Sequence, residues 1–300
     1  MVHTPTLGTA APAGARADFH SLVAAGLLWG TGGLAGAVLS GRFGLDPLVV
    51  AVCRLIVGGT ALLAAAAFTA GLSWRWSDAR GTVAMAGLAA WYQSCYFVAV
   101  GLTSVSLATM ITLGASPVIL VLVEAVTTRR RPAGRVLGAV GVAIAGLVLL
   151  VGGPGGERSG AVALGVAFAV ASAAGFAAVT VLGARVAHGS NRLSTIGTAF
   201  VVGGLLMVPV AVLTGQTSVG GGAAALGVVL YLGVVPTATA YALYFRGLRS
   251  VGASVAALVA LLEPLTAAVL GAVVLDERLG VAGVAGAVLV AAAVVVARRT

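Results

Sequence analysis

Glu263 is the one carboxylate in the apolar run that begins at Gly252, about halfway along it, and Pro264 follows at once. At 1.5 Å per residue, eleven residues place it ~16 Å from the inner face, which is the midplane of a bilayer. An ionisable group at that depth is costly unless it is paired, protonated or facing water, so such a residue is a functional candidate by default. Pro264 has no N–H to give the carbonyl of Ala260, which leaves a free acceptor beside the carboxylate. Two roles stay open for Glu263. It is either a group that titrates protons or holds a substrate ammonium, or a permanently protonated structural carboxyl bonded to a freed backbone carbonyl.

Other polar side chains interrupt apolar runs. Arg54 lies about a third of the way into its run; it can pair with a carboxylate, receive an anionic cargo group or snorkel outward, and a structural role is favoured. Trp91, Tyr92, Gln93 and Tyr96 cluster in one run, and Tyr231, Thr237, Thr239, Tyr241 and Tyr244 in another. Tyr92 and Tyr96 are one helical turn apart, as are Thr237 and Tyr241, so each pair shares a helix face. Aromatic walls with a few hydroxyls suit a small organic substrate and offer ring faces to a cation, whereas the plainer alternative is an interfacial belt with ordinary packing. Trp29 sits midway through the first run and can face the same space. Trp74 and Trp76 read as belt residues. Glu124 is expected to pair with Arg129 near the membrane surface, and Asp46 and Asp276 to be interfacial. Gly32, Gly33 and Gly36 are expected to mark close helix contact.

The same inventory narrows the chemistry. His3, His20 and His188 all fall outside the apolar runs, so no His-based nucleophile or metal cluster is expected at depth. Cys53 and Cys95 lie within apolar runs, which argues against a disulfide framework or a metal site. No GxxxxGK[ST] phosphate loop is present, and no cofactor is expected.

What must position these groups is a membrane bundle. Hydrophobic residues make up 60% of the chain and charged residues 8%, against about a quarter charged in an ordinary soluble domain. All 17 basic residues are Arg, and they fall between apolar blocks. The net charge of +9 is therefore better explained by a membrane surface than by nucleic acid. The lack of Lys, with abundant Ala, Gly and Val, fits a GC-rich bacterial genome. Apolar blocks of roughly the ~20 residues a bilayer requires run over 21–39, 47–70, 82–100, 104–127, 136–152, 161–182, 193–213, 223–245, 252–275 and 279–297. The expected fold is all-α and polytopic, with ten transmembrane helices, short loops and no separate soluble domain. Residues 1–20 lack the apolar core of a signal peptide and read as a retained, disordered cytoplasmic tail. With the N-terminus inside, inner segments hold thirteen arginines and outer loops three (Arg42, Arg158 and Arg278), so both termini are expected to be cytoplasmic in the plasma (inner) membrane.

The blocks also repeat. Gly101-Leu102-Thr103-Ser104-Val105 precedes the fourth and Gly247-Leu248-Arg249-Ser250-Val251 the ninth; Ser116-Pro117 corresponds to Glu263-Pro264, and Gly138-x-x-Gly141 to Gly283-x-x-Gly286. Residues 21–152 and 161–297 thus form two five-helix repeats within one integrated transport unit. An odd number of helices inverts the second copy relative to the first. Pro117, which frees the carbonyl of Leu113, and Pro264 are expected to break helices four and nine near the midplane, where secondary transporters of inverted-repeat design bind their substrates. No convincing match links the first block to the sixth.

The stretch LLEPLTAAVLGAVVLDERLGVAGVAGAVLV resembles the closing signature of the EamA-type drug/metabolite transporters: a Pro-containing helix, an acidic Asp-Glu-Arg-Leu turn and a small-residue-rich last helix. Leu28-Trp29-Gly30, the Arg54 of AVCRLIVGG, and Tyr241-Ala-Leu-Tyr-Phe with Gly247-Leu248 resemble further landmarks of that family, in order over nearly the whole chain. One departure stands out. After its Pro helix the first repeat has Thr127-Thr128-Arg129-Arg130-Arg131-Pro132 in place of an acidic turn, so no symmetric role for Asp276 and Glu277 is implied. The resemblance implies movement of a small metabolite, such as an amino acid, amine or drug-like compound, by alternating access without ATP hydrolysis. Export is the expected direction and proton coupling an open option. The expected partners are that substrate, protons and the lipid bilayer; the oligomeric state is not legible. The competing readings are a non-transporting membrane protein (an intramembrane enzyme or a scaffold) and a channel. Neither finds its marks here, since loops rich in His or paired acids are missing, as is a ring of like charges.

Overall fold

The computed structural model describes residues 13–69, 71–72, 79–129, 131–151, 160–186, 192–274 and 280–297. Trp74, Trp76, Arg130 and the Asp276-Glu277-Arg278 turn therefore lie outside the described residues, as do Arg158 and the terminal arginines. Within the described residues the regular elements are helices, joined by one isolated antiparallel bridge between Leu45 and Val219. In chain order they are α1 Ala13–Phe43, α2 Pro47–Thr69, α3 Ala79–Leu102, α4 Val105–Thr128, α5 Gly134–Val151, α6 Gly160–Val186, α7 Arg192–Leu213, α8 Ala223–Gly233, a π-helical turn Val234–Thr239, α9 Ala240–Gly247, α10 Ala253–Ala260, α11 Leu262–Val274 and α12 Val281–Ala297. In hydrocarbon, helices close their backbone hydrogen bonds within themselves, which is why so apolar a chain takes this form. Eight stretches are long and apolar enough to cross a membrane, counting α8 with α9 and α10 with α11; α5 and α12 are shorter apolar helices.

Three local expectations change. The first concerns the tail. Helix α1 begins at Ala13, so residues 13–20 continue the first apolar block as helix and the expected disordered segment is shortened. Asp18 explains this: its carboxylate accepts from Ser250 Oγ at 2.6 Å and faces Arg246 Nε at 3.7 Å, which ties the first turns to the end of α9. The second concerns Pro117, which does not break α4; the helix runs through it without interruption. Hydroxyls in the turn before it hold this part of α4 to α6, Thr112 Oγ1 donating to Ala169 O at 3.2 Å and Ser116 Oγ reaching Ala173 O at 3.5 Å. Around Pro264 the break does occur. Helix α10 ends at Ala260, Leu261 takes φ −66 and ψ −7 with its N–H on Leu258 O, and α11 restarts at Leu262.

The third difference lies in the eighth apolar block, which the sequence reading had as an unbroken helix. Pro236 cannot donate to Leu232 O, and the chain widens into the π turn there. Thr237 Oγ1 donates to Leu232 O at 2.8 Å and Thr239 Oγ1 to Val234 O at 2.9 Å. Each hydroxyl thus serves a carbonyl five residues back, which is the register the turn adopts.

Helix packing repeats itself between the halves. With the ten apolar stretches numbered in chain order, the third lies on the sixth as the eighth (α8, the π turn and α9) lies on the first. The fourth meets the sixth as the ninth (α10 and α11) meets the first, and the third meets the seventh as the eighth meets the second. The pairs α2 with α7, α5 with α12 and α4 with α10 map onto themselves. Such a pattern has an approximate two-fold character, and it gives the first and sixth stretches equivalent positions although their sequences do not match. Two of the self-paired crossings are glycine to glycine. A Cβ on Gly59 would stand 2.7 Å from Gly197 O, and one on Gly146 would stand 2.8 Å from Gly286 O. Without hydrophobic drive between helices in lipid, such close backbone approach is what holds them together.

Candidate functional site

The interruptions described above surround a cavity of about 290 Å³ between α1, α2, α3, α4, α6 and the eighth and ninth stretches. It extends from Trp29, midway along α1, and from Tyr241 and Glu263 at the starts of α9 and α11, to Ser40, Pro47, Val100 and Val105 near the ends of α1 to α4 remote from the start of α1. Toward the start of α1 the space is filled by Leu22, Tyr244, Phe245 and Leu248, all buried. Aromatic rings floor the cavity: Trp29 lies edge-on to Tyr241 with centroids 5.0 Å apart, 4.9 Å from Tyr244 and 6.2 Å from Phe176.

All seven side chains singled out for substrate binding or coupling, Glu263, Tyr92, Tyr96, Tyr241, Trp29, Gln93 and Arg54, line this one cavity. Four of them are set by packing. Tyr92 and Tyr241 are buried and share a hydrogen bond of 2.6 Å between hydroxyls, which joins α3 to α9. Tyr96 shares one of 2.7 Å with Thr109 of α4. Trp29 enters from α1 because Gly30 lets that helix close on α11, where a Cβ would stand 2.8 Å from Glu263 O. Glu263 itself opens α11, directly after the break.

The electrostatics are unusual for so enclosed a place. Arg54 and Glu263 share the cavity, yet no ion pair or hydrogen bond joins them among the described residues. Three buried N–H groups also lack an acceptor among the described residues: Trp29 Nε1, Arg54 Nε and Gln93 Nε2. Buried donors in folded proteins are nearly always satisfied, and each exception asks for an explanation. The structural tie favoured for Arg54 thus has no second member here.

Some expected residues fall elsewhere. Trp91 is 56% exposed on the outer surface of the bundle and donates to Ala171 O at 3.3 Å, and Tyr231 is 41% exposed and bonds Thr31. Tyr244 is core, bonded to Thr180 at 3.0 Å. Glu124 does not pair with Arg129, which takes φ 52 at the end of α4; its carboxylate accepts instead from Ser254 Oγ at 2.5 Å, across to α10. Asp46 accepts the Ser218 N–H at 2.9 Å in a clasp between the α1–α2 and α7–α8 loops. Gly32, Gly33 and Gly36 line the cavity; a Cβ on Gly32 would stand 3.1 Å from Pro236 Cβ, the expected close helix contact, whereas one at Gly36 would meet nothing within 4 Å and leaves space instead. Pro117 is buried outside the lining, whereas Leu113 and Thr112, one turn before it, belong to it.

Sequence reasoning missed Ser172 and Phe176 of α6, which line the wall; Ser172 Oγ donates to Tyr92 O at 2.8 Å. A hydroxyl and an aromatic one turn apart, as at Tyr92 and Tyr96, was the available signal. No group of three or more His, Cys, Asp or Glu residues fit to hold a metal occurs among the described residues.

Such an architecture, a helical membrane bundle around a cavity of aromatic walls and a few polar groups, with two packing-equivalent halves, fits a small-molecule transporter. The EamA-like transporter family matches the chain twice, over residues 20–152 and 163–299, and the chain belongs to that family. It is 30% identical over 277 residues, or 88% of either chain, to a Bacillus subtilis (strain 168) protein described as the uncharacterized transporter YwfM. A solved crystal structure aligns over 96% of this chain and 98% of its own with a TM-score of 0.79 at 19% identity, a likeness of fold.

Proposed function

We propose that the chain is a secondary active transporter of a small organic metabolite, working by alternating access, with Glu263 as the carboxylate that binds the cargo or couples its movement. In this reading all ten apolar stretches cross the membrane, the two halves are inverted, both termini are cytoplasmic in the plasma membrane, and the cargo leaves the cell. The observation that carries it is the one-sided cavity: open at the ends of α1 to α4, closed toward the start of α1, with Glu263 at a helix break at its inner end. Its two-fold packing supplies the alternative state, since exchanging the roles of the halves would open the other side. The latches favour the present one. Asp18 with Arg246 and Ser250, and Glu124 with Ser254, join helix ends beside the filled side of the cavity.

Reconstituted protein is expected to catalyse counterflow of a bound metabolite across liposomes without nucleotide, and Glu263→Ala to abolish it at normal expression and folding. Undiminished flux in Glu263→Ala removes that carboxylate from the mechanism. A flux that follows an imposed proton gradient in the wild type and not in Glu263→Gln supports coupling through this residue.

A further inference from the structure

Resting on the transporter reading, we infer that Arg54, with the indole N–H of Trp29 and the amide N–H of Gln93, forms a receptor for a carboxylate carried by the cargo. Glu263 and the aromatic walls hold the remainder of the molecule. The three side chains come from α1, α2 and α3, and in each a buried nitrogen, Trp29 Nε1, Arg54 Nε and Gln93 Nε2, has no acceptor among the described residues. Trp29 and Gln93 are each only 4% exposed, and all three line the same cavity. An arginine at depth needs a counter-charge. Glu263 is in the same cavity, yet no ion pair or hydrogen bond joins the two among the described residues, so the guanidinium keeps its donors free. Donors held ready without acceptors, one of them charged, are what a site built for an oxyanion offers.

The charge balance selects the kind of oxyanion. One guanidinium faces one carboxylate in the lining, so a phosphate dianion would meet more repulsion from Glu263 than Arg54 offsets. A monoanionic carboxylate meets about half that repulsion, which one guanidinium can offset. Where the cargo also bears an ammonium, Glu263 is the complementary partner, and the separation of the two protein charges holds such a molecule by both ends. Trp29 adds its ring edge to this wall, so the body next to the carboxylate is apolar or aromatic.

The test uses the full chain in lipid nanodiscs and three probes of one shape: 3-phenylpropanoate, its neutral carboxamide and 2-phenylethylamine. Ligand-induced thermal stabilisation and calorimetric titration read the affinity. Wild type is expected to bind 3-phenylpropanoate roughly tenfold to a hundredfold more tightly than the carboxamide, the scale of losing a charge-assisted hydrogen bond. Arg54→Gln is expected to remove that preference, while Arg54→Lys restores part of it. No binding of 3-phenylpropanoate, equal binding of the carboxamide, or a preference that survives Arg54→Gln overturns the inference. The probe comparison on wild type decides the matter even if the Arg54 variants do not fold. Counterflow of 2-phenylethylamine through liposomes by a protein indifferent to carboxylates would sink the receptor and leave the transporter reading standing.

Discussion

The approach of α1 to the broken ninth stretch permits a controlled comparison within one helix. A Cβ built on Gly30 would lie 2.8 Å from Glu263 O and closer still to Thr266, whereas ordinary contact begins at 3.4 Å. Neither the backbone oxygen nor the Thr266 Cβ can rotate away, so α1 or α11 must move by at least about 0.6 Å, the difference between those two distances. Overpacking of this kind costs ~1–3 kcal/mol. The same substitution at Gly36 meets nothing within 4 Å. Both positions gain about 1 kcal/mol of helix propensity from Gly to Ala, which cancels when the variants are compared. Gly36→Ala is therefore expected to be as stable as wild type or more so, and Gly30→Ala to fall ~1–3 kcal/mol below it. Thermal unfolding of each purified protein in one detergent, followed by helical circular dichroism, reads the gap. Displacement of α1 also moves Trp29 relative to Glu263, so Gly30→Ala is expected to lose cargo affinity along with stability. Equal stability of the two alanine variants would refute the described contact between α1 and α11, and with it the placement of Glu263 against the first helix.

Tyr92→Phe leaves the buried Tyr241 hydroxyl without its 2.6 Å partner and is expected to cost ~1–3 kcal/mol. The Tyr92→Phe/Tyr241→Phe double variant is expected to be less destabilised than the sum of the single changes, as a thermal-unfolding double-mutant cycle would show. Thr237→Val keeps shape but strips the Leu232 carbonyl of its 2.8 Å donor at the π turn, a loss of ~1–3 kcal/mol with faster amide exchange confined to the eighth stretch. An unchanged exchange rate there would mean that the hydroxyl does not hold the turn.

Some of this molecule was legible before any coordinates. Its class followed from composition, because 60% hydrophobic residues with 8% charge cannot form a solvated surface, and hydrocarbon admits closed helices. The break beside Pro264, with Glu263 next to it, followed from a missing N–H. Counting also nominated Trp29, Arg54, Tyr92, Gln93, Tyr96 and Tyr241, since a polar or aromatic group in an apolar run is conspicuous wherever the run ends up. Relations between runs were not legible. Gly30 and Gly36 are the same residue on the same helix, and which one meets a neighbour depends on how α1 crosses α11. Likewise Glu124 had a cation one turn away in sequence and a serine closer in space. Pro117 and Pro264 share one chemistry, but α4 is held straight by hydroxyl bonds to α6 while the ninth stretch gives way at Leu261. The equivalence of the first and sixth stretches is carried by backbone packing that different small side chains satisfy equally well, so letters alone did not betray it. Local sequence determined which groups are costly to bury. Only the packing of ten helical stretches decided that Arg54 and Glu263 would share a cavity without touching, because that depends on contacts between residues more than two hundred positions apart.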